Sequence, residues 1–337
     1  MVLNTKAGQE ASHEITGKFD FAGKDFSFTI DAGDHTKIDS MLLYAHTSDD
    51  DYHRIDIAKD MRTFRAGGDN VVTATKFNIR PQRGNPDWSN INKIKLEVKG
   101  KGKGGDNTVT FKSMSTIPEA DSGVVSVVFD DGWLSAYETA WPAMQEHGIT
   151  KGVSYIIPDQ VGDGGRMSLD QIKELQDIHG WDIGSHGSPR LTDLNTDQLK
   201  EELSGVKKYM EDNGIGRGAR HYAYPQGRYD QSVLDYMRRE FDTARTIEHD
   251  NESVKPGDPH RLRVFYAGAH IRSDQVQNAV DKAKENKTWL IMVYHRVEEP
   301  SNGAPETVTT SNFKEHMRIL GESGLPIKTV REVWEDN

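Results

Sequence analysis

Cysteine is absent from this chain of 337 residues, which excludes disulfide bonds and thiolate chemistry. Long apolar runs are also absent: none approaches the roughly 20 residues of a membrane-spanning helix, so no membrane insertion is expected. The first ten residues, MVLNTKAGQE, lack the apolar segment of a signal peptide. Basic charge is in the minority, with 42 lysines and arginines and 53 aspartates and glutamates. The resulting net charge of −11 argues against nucleic acid as the main partner.

The N-terminal part, residues 1–118, has the pattern of an antiparallel β-sandwich. Short segments with apolar residues at every second position are separated by Gly, Asp and Asn. The glycine-rich basic cluster Lys99–Lys103 is predicted to be a solvated hairpin tip, and Ser113–Gly123 to be a linker. The predicted strands are Phe26–Ile30, Ile38–Tyr44, Tyr52–Ile57, Val71–Phe77, Ile91–Val98 and Thr108–Phe111.

From residue 119 to the end, strands alternate with amphipathic helices, which predicts a mainly parallel sheet or barrel. About seven or eight strand-helix units can be counted, as a (β/α) barrel requires. The chain is therefore predicted to be multidomain, with a β-sandwich over 1–118 and a distorted (β/α)7-8 barrel over 119–337. The predicted barrel strands include Val124–Phe129, Gly152–Ile157, Trp181–Ser185, Thr243–Ile247, Trp289–Tyr294 and a closing strand Ile327–Val330.

Polar residues directly follow several of these strands. The first strand ends in Asp130, Asp131 and Gly132, and three later strand ends carry His186, Gln226 and His295. In a barrel these positions converge on one rim, where active sites are found. For Asp131 a simpler role is open, since it could cap the helix that follows. The convergence of four strand ends favours a site.

The four strand ends resemble, in chain order, motifs of the polysaccharide deacetylases, that is, the NodB-homology domain or carbohydrate esterase family four. The motifs are Val128 to Gly132 (VFDDG), Asp182 to His186 (DIGSH), Ala223 to Gly227 (AYPQG) and Val293 to Arg296 (VYHR). The last helix and strand, Phe313 to Val330, are also similar to that family. The resemblance covers roughly residues 122 to 334.

The resemblance implies metal-dependent hydrolysis of an N- or O-acetyl group on a glycan. It implies that Asp130 is the general base, that Asp131 and His186 are metal ligands, and that His295 is the general acid. The backbone N–H of Gln226 would help to stabilise the oxyanion, with Pro225 beside the substrate. The implied cofactor is a divalent metal, zinc by preference, which lowers the pKa of bound water and polarises the acetyl carbonyl.

The second motif departs from the family pattern. The family has a second histidine four residues after the first, and this chain has Arg190 there. A two-residue deletion would put Ser188 at that position instead. A guanidinium has no lone pair for a metal, and a catalytic zinc normally has three protein ligands. The spacing does not select a third ligand from the candidates Asp193, Asp163, His221 and His270. The third motif also has Ala223 where the family often has arginine.

Three functions are consistent with this pattern. The first is a hydrolase, a glycan deacetylase with an altered metal site; the second is an inactive barrel of the same ancestry that binds surface glycans. The third is a structural or assembly protein, such as a virion tail component, and a homo-oligomer is compatible with each. The N-terminal part is weakly similar to jelly-roll modules of glycan-active enzymes, in which Trp88 could stack on a sugar ring, although packing is the commoner role of such a residue. The substrate class suggests an extracellular, virion or cell-surface location, with the cytoplasm left open.

Overall fold

A computed structural model describes residues 1–299 and 303–337 and divides the chain into two compact units. The first unit comprises residues 1–121 and 248–258, and the second comprises 122–247 and 259–337. The sequence pattern placed 248–258 in the barrel, but this segment belongs to the first unit.

The strands are β1 (Val2–Thr5), β2 (Glu10–Phe19), β3 (Lys24–Asp31), β4 (Ile38–His46), β5 (Tyr52–Asp56), β6 (Asp69–Ala74), β7 (Ile79–Arg83), β8 (Ile91–Gly100), β9 (Asn107–Pro118), β10 (Val124–Phe129), β11 (Val153–Ile156), β12 (Asp182–His186), β13 (Gly218–Ala223), β14 (Thr243–His249), β15 (Glu252–Ser253), β16 (Leu262–Tyr266), β17 (Thr288–Tyr294), β18 (Arg296–Val297) and β19 (Thr307–Val308). The α-helices are α1 (Trp141–Glu146), α2 (Leu169–Asp177), α3 (Thr196–Asp212), α4 (Gln231–Glu240), α5 (Ser273–Glu285), α6 (Thr310–Glu322) and α7 (Val330–Glu335).

The first unit contains two antiparallel sheets, which confirms the predicted sandwich. One sheet has the strand order β1-β9-β3-β6 and the other has the order β2-β8-β4-β5-β7. Phe26, Phe28 and Ile30 of β3 are fully buried, as their alternation predicts, because successive side chains of a strand point to opposite faces. The predicted linker is wrong over residues 113–118, which extend β9. Strands β1, β2 and β7 were not predicted.

The second unit is a parallel barrel, as predicted. Strands β10, β11, β12, β13, β14, β16 and β17 follow one another around it, and β17 pairs with β10 to close it. Every residue of β10 and β17 is buried, which explains their continuous apolar sequences. The predicted closing strand is wrong, because Ile327 makes only an isolated bridge to Val125 and Thr329 caps helix α7.

Helix termini in the barrel follow the sequence signals. Ser168 and Gln171 form the predicted capping box at the start of α2. Gly148 and Gly214 adopt positive φ angles of 73° and 72° just after α1 and α3, the conformation that ends a helix at low cost for glycine. Among the described residues, no helix has both the length and the apolar character needed to cross a membrane.

Candidate active site

The strand register brings the predicted residues to one end of the barrel. Phe129 of β10 is paired with Tyr294 of β17, so that Asp130 and His295 are the next residues on two adjacent strands. Two strands from β10 in the barrel order, His186 of β12 is paired with Ala223 of β13. The site is therefore built from carboxyl ends of parallel strands, where barrels place functional groups.

Asp131 and His186 form a pair at this rim. Asp131 Oδ1 lies 3.4 Å from His186 Nε2, and Asp131 Oδ2 accepts a hydrogen bond from Trp133 Nε1 at 3.1 Å. His186 Nδ1 lies 2.7 Å from the Ala223 carbonyl oxygen and donates to it, so that Nε2 is the ring nitrogen that faces Asp131. Both side chains are thus held in one orientation by groups outside the pair.

The backbone and the charge of Asp131 are both unusual. Its φ angle is 67°, in the left-handed region that a residue other than glycine enters at a cost. Burial alone would raise the pKa of Asp131, but the hydrogen bond and charge of His186, with the charge of Arg166, lower this pKa to about 2. The first helical turn after Asp131 begins at Ala136, with Ser135 at the cap position, so Asp131 is not a helix cap. A strained, ionised carboxylate is typical of a functional site.

Asp130 points to a different set of partners. Arg245 Nη2 of β14 donates to Asp130 Oδ1 across the barrel interior, and the side chains of the two residues are 1% and 6% exposed. Asp130 Oδ2 lies 3.7 Å from His295 Nε2. Arg245 also lies over the Tyr155 ring, at 4.8 Å from its centroid. Burial lowers the pKa of Arg245 to about 9, which leaves the guanidinium protonated at neutral pH. Arg245 therefore compensates the charge of Asp130 and fixes its direction.

His295 is a neutral imidazole in this environment. Burial lowers its pKa to about 4, although the charge of Asp131 opposes this shift. Its Nδ1 lies 3.4 Å from the Tyr266 hydroxyl. A neutral ring can accept a proton at neutral pH, and must gain one before it can act as an acid.

The loop of the third motif contains Pro225, Gln226 and Gly227 in a single 3-10 turn. Gln226 has a φ angle of 54°, a second strained residue at this rim. Its side-chain Oε1 accepts a hydrogen bond of 2.6 Å from Arg190 Nε. Arg190, at the position of the missing histidine, is exposed and bonds to this loop.

The residues present fit a divalent metal only in part. The oriented Asp131 carboxylate and the free Nε2 of His186 are suitable ligands, and their separation of 3.4 Å is close to that of two ligands at about 2.0–2.1 Å from one tetrahedral ion. The described part of the chain contains no group of three or more His, Cys, Asp or Glu residues that could hold a metal. Asp193, Asp163 and His270 are exposed, and His221 Nδ1 is 3.0 Å from Thr243 Oγ1. A metal here would have two protein ligands.

Trp88, in the other unit, is held by neighbouring side chains. Its ring is stacked on His53 with 3.7 Å between centroids and an interplanar angle of 2°, and Lys76 Nζ lies 5.0 Å from its centroid. The ring also packs against the hydrophobic core of the sandwich. These contacts are those of a packing residue, the commoner role for such a tryptophan.

Two residues of the site were not found from the sequence, namely Arg245 and Trp133. Arg245 carried a usable signal, since a charged residue within a buried strand needs a partner. The third motif has Ala223 at a position where an arginine is frequent, so the guanidinium of this site comes from Arg245 on β14 instead. Trp133 was visible only as the residue after the Asp130-Asp131-Gly132 motif.

Comparison with known proteins connects this geometry to a family. Residues 118–240 match the sequence profile of the polysaccharide deacetylases. The match covers the barrel from its first strand, β10, to helix α4. A protein of Bacillus subtilis (strain 168) named as the polysaccharide deacetylase YxkH is 29% identical over 174 residues. The alignment covers 50% of this chain and 59% of that relative, so the chain spans little more than half of the relative's length.

Solved structures are also similar to this chain. T48 deacetylase with substrate is 17% identical, with a TM-score of 0.45, and the match covers 64% of this chain and 92% of that one. The Xyl-CE4 domain of a multidomain xylanase from the hindgut metagenome of Trinervitermes trinervoides is 16% identical, with a TM-score of 0.42, over 64% and 91% of the two chains. At TM-scores below 0.5 these matches carry no argument about the site.

Proposed function

We propose that the chain is a metal-dependent hydrolase that removes acetyl groups from a polysaccharide or glycan. The observation that carries this proposal is that the two carboxylates at the end of β10 have different partners. Asp131 faces His186 at 3.4 Å, whereas Asp130 faces His295 at 3.7 Å and is paired with Arg245. A binding site for neutral sugars does not need two carboxylates with separate histidine partners and a buried guanidinium.

Asp131 and His186 are the residues that would hold the divalent metal. When bound, such an ion lowers the pKa of a bound water and polarises the acetyl carbonyl. The Trp133 indole N–H and the Ala223 carbonyl keep the two side chains in place, the outer-shell support that ligands usually have.

Asp130 is proposed to act as the general base. Arg245 holds Oδ1 and leaves Oδ2 on the side of His295, so that Oδ2 is the oxygen that can accept a proton. His295 is proposed to protonate the leaving amine or alkoxide. Because its pKa is lowered to about 4, it must first gain a proton during the reaction, and the Asp130 carboxyl group faces it. The backbone N–H of Gln226 is proposed to stabilise the oxyanion, with Pro225 shaping the adjacent surface.

The direct test is acetate release by the full chain. Protein supplied with zinc or cobalt should contain near-stoichiometric metal and release acetate from acetylated amino-sugar oligomers or acetylated xylan. The Asp130→Asn variant should lose the release, since an amide cannot accept the proton. Because it leaves Arg245 buried without its anion, it is assayed below its own unfolding temperature, where it should still bind metal. An empty site after metal supply, with no turnover on any acetylated glycan, would contradict the proposal.

One observation favours a second function. Arg190 replaces the third ligand, and the described residues offer no substitute. We therefore retain as the alternative a catalytically impaired domain that binds glycans at a cell or virion surface. Glycan binding that persists in Asp131→Ala, in protein that neither holds metal nor releases acetate, would favour it. Both functions place the protein where extracellular polymers occur.

A further inference from the structure

The Tyr266 hydroxyl contacts His295 at the ring nitrogen that does not face Asp130. Tyr266 Oη lies 3.4 Å from His295 Nδ1, and the two ring centroids are 5.5 Å apart at an interplanar angle of 52°. The other ring nitrogen, Nε2, faces Asp130 Oδ2 at 3.7 Å. Within the described part of the chain, Tyr266 is the hydrogen-bond partner of Nδ1. The two nitrogens of His295 therefore have two different neighbours.

Strand register places Tyr266 beside His295. Tyr266 ends β16 and is paired with Val293 of β17, and Ala267 donates its backbone N–H to the Val293 carbonyl oxygen at 2.9 Å. Residues two apart along a strand share a face, as paired residues of neighbouring strands do, so Tyr266 and His295 emerge on the same face. A Cβ atom at Gly268 would lie only 3.0 Å from Tyr266 Cε1, so the glycine leaves the room that the ring occupies. The contact is thus built by two adjacent strands.

A tyrosine hydroxyl suits a histidine that changes its charge during a reaction. A neutral imidazole has one N–H donor and one acceptor nitrogen, whereas an imidazolium has two donors and needs an acceptor at each nitrogen. A hydroxyl can donate or accept, so it can stay bonded to Nδ1 in either state. Burial, with the charge of Glu306, raises the pKa of Tyr266 to about 12, so the phenol remains neutral. Tyr266 therefore adds no further anion beside Asp130 and Asp131.

We propose that Tyr266 is the positioning residue of His295. Its hydroxyl holds Nδ1, keeps Nε2 directed to Asp130 and to the leaving group, and accepts the Nδ1–H hydrogen bond once the ring is protonated. When the acetyl C–N or C–O bond breaks, its electron pair stays on the leaving atom, which takes the proton from Nε2 and leaves His295 neutral. This inference rests on the proposed deacetylase function, in which His295 gains its proton before it protonates the leaving group.

The first test varies how much the leaving group needs a proton. Tyr266→Phe keeps the ring and removes the hydroxyl. It should reduce kcat for acetate release from acetylated amino-sugar oligomers by about tenfold or more, with KM and metal content unchanged, because an amine must be protonated to leave. On 4-nitrophenyl acetate, whose phenolate leaves without a proton, kcat should change by less than about twofold. Tyr137→Phe, which removes a hydroxyl that donates to Glu174 at 2.8 Å, is the control and should change neither rate.

The second test shows whether Tyr266 acts through His295. His295→Gln should cause the same selective loss, and adding Tyr266→Phe to it should lower kcat no further, because residues that act as a unit are not additive. Equal losses of Tyr266→Phe on both substrates, or additive losses in the double variant, would assign Tyr266 to the fold alone and overturn the inference. An unchanged kcat of Tyr266→Phe on the amino-sugar oligomers would overturn it as well.

A readout without turnover separates this inference from the deacetylase function. Proton–nitrogen NMR spectra of the full chain record the ring nitrogens of His295, which are identified by their loss in His295→Gln. Tyr266→Phe should shift the Nδ1 resonance, whereas Tyr137→Phe should leave it in place, and an unshifted Nδ1 would refute the contact. Absence of acetate release from every glycan would instead refute the proposed function, while the Nδ1 shift would still decide whether Tyr266 holds the ring.

Discussion

Arg245→Met is expected to destabilise the barrel strongly. The side chains of Arg245 and Asp130 are 1% and 6% exposed, so water cannot replace the lost partner of Asp130. Removal of one member of a buried ion pair costs about 3–5 kcal/mol, because the other charge remains buried and uncompensated. For a unit of this size, about 2–4 °C is lost per kcal/mol, which corresponds to a decrease in Tm of about 6–20 °C.

The measurement is urea denaturation of the full chain followed by tryptophan fluorescence. Of the six tryptophans, all except Trp88 lie in the barrel, so the fluorescence reports mainly on this unit. A reduced midpoint with an unchanged slope would indicate a loss of stability without a change in the denatured state.

Two further variants test whether Arg245 compensates the buried charge of Asp130. Arg220→Met removes an arginine from the adjacent strand β13, where the pair with Asp242 is 53% and 32% exposed. This control should cost no more than about 1 kcal/mol, as exposed pairs do. The double variant Arg245→Met with Asp130→Asn should regain much of the stability, because no charge is left alone. If Arg245→Met costs no more than Arg220→Met, or if the double variant regains nothing, the pair does not compensate a buried charge.

Three other predictions concern the metal pair and the pH response. Arg190→His should tighten zinc binding, measured by calorimetry, because it supplies an imidazole at the position of the missing histidine. Arg190→Gln should not tighten it. Equal zinc affinities of the two variants would show that the loop of residue 190 does not reach Asp131 and His186. Trp133→Phe removes the hydrogen bond to Asp131. It should weaken metal binding by about 10–100-fold with little change in stability, as the loss of a hydrogen-bond partner of a metal ligand does. An unchanged affinity in a cobalt titration would show that the indole does not support the ligand. Burial lowers the pKa of His316, which lies 3.2 Å from the Tyr294 hydroxyl, to about 4. This folded-state pKa is below the unfolded value of about 6.5, so stability is lost as the pH falls from about 6.5 toward 4, by about 2 kcal/mol at pH 5 for this group. His316→Gln should therefore lose less stability between pH 7 and pH 5 than the parent, and an equal loss would assign the response to other groups.

The positions of Asp130, Asp131, His186 and His295 could be predicted because they depend on local pattern. Apolar runs define the strands, each run ends one residue before its polar group, and parallel strands in a barrel bring their carboxyl ends to one rim. The same local reasoning showed that Arg190 cannot be a metal ligand, since this depends only on the chemistry of the guanidinium.

The partners of these groups depended on the tertiary structure. Arg245 is separated from Asp130 by 115 residues and reaches it across the barrel interior, a contact that no periodicity encodes. Arg166, from the segment before α2, and Arg296, the residue after His295, likewise meet only in the folded chain, at the ring of Trp133 in the loop after β10. The assignment of segment 248–258 to the first unit also depended on tertiary contacts, because the sequence offered only a single boundary near residue 118. The sequence by itself thus determined which chemical groups stand at the rim, and barrel closure decided which of their charges are paired and in which direction each one points.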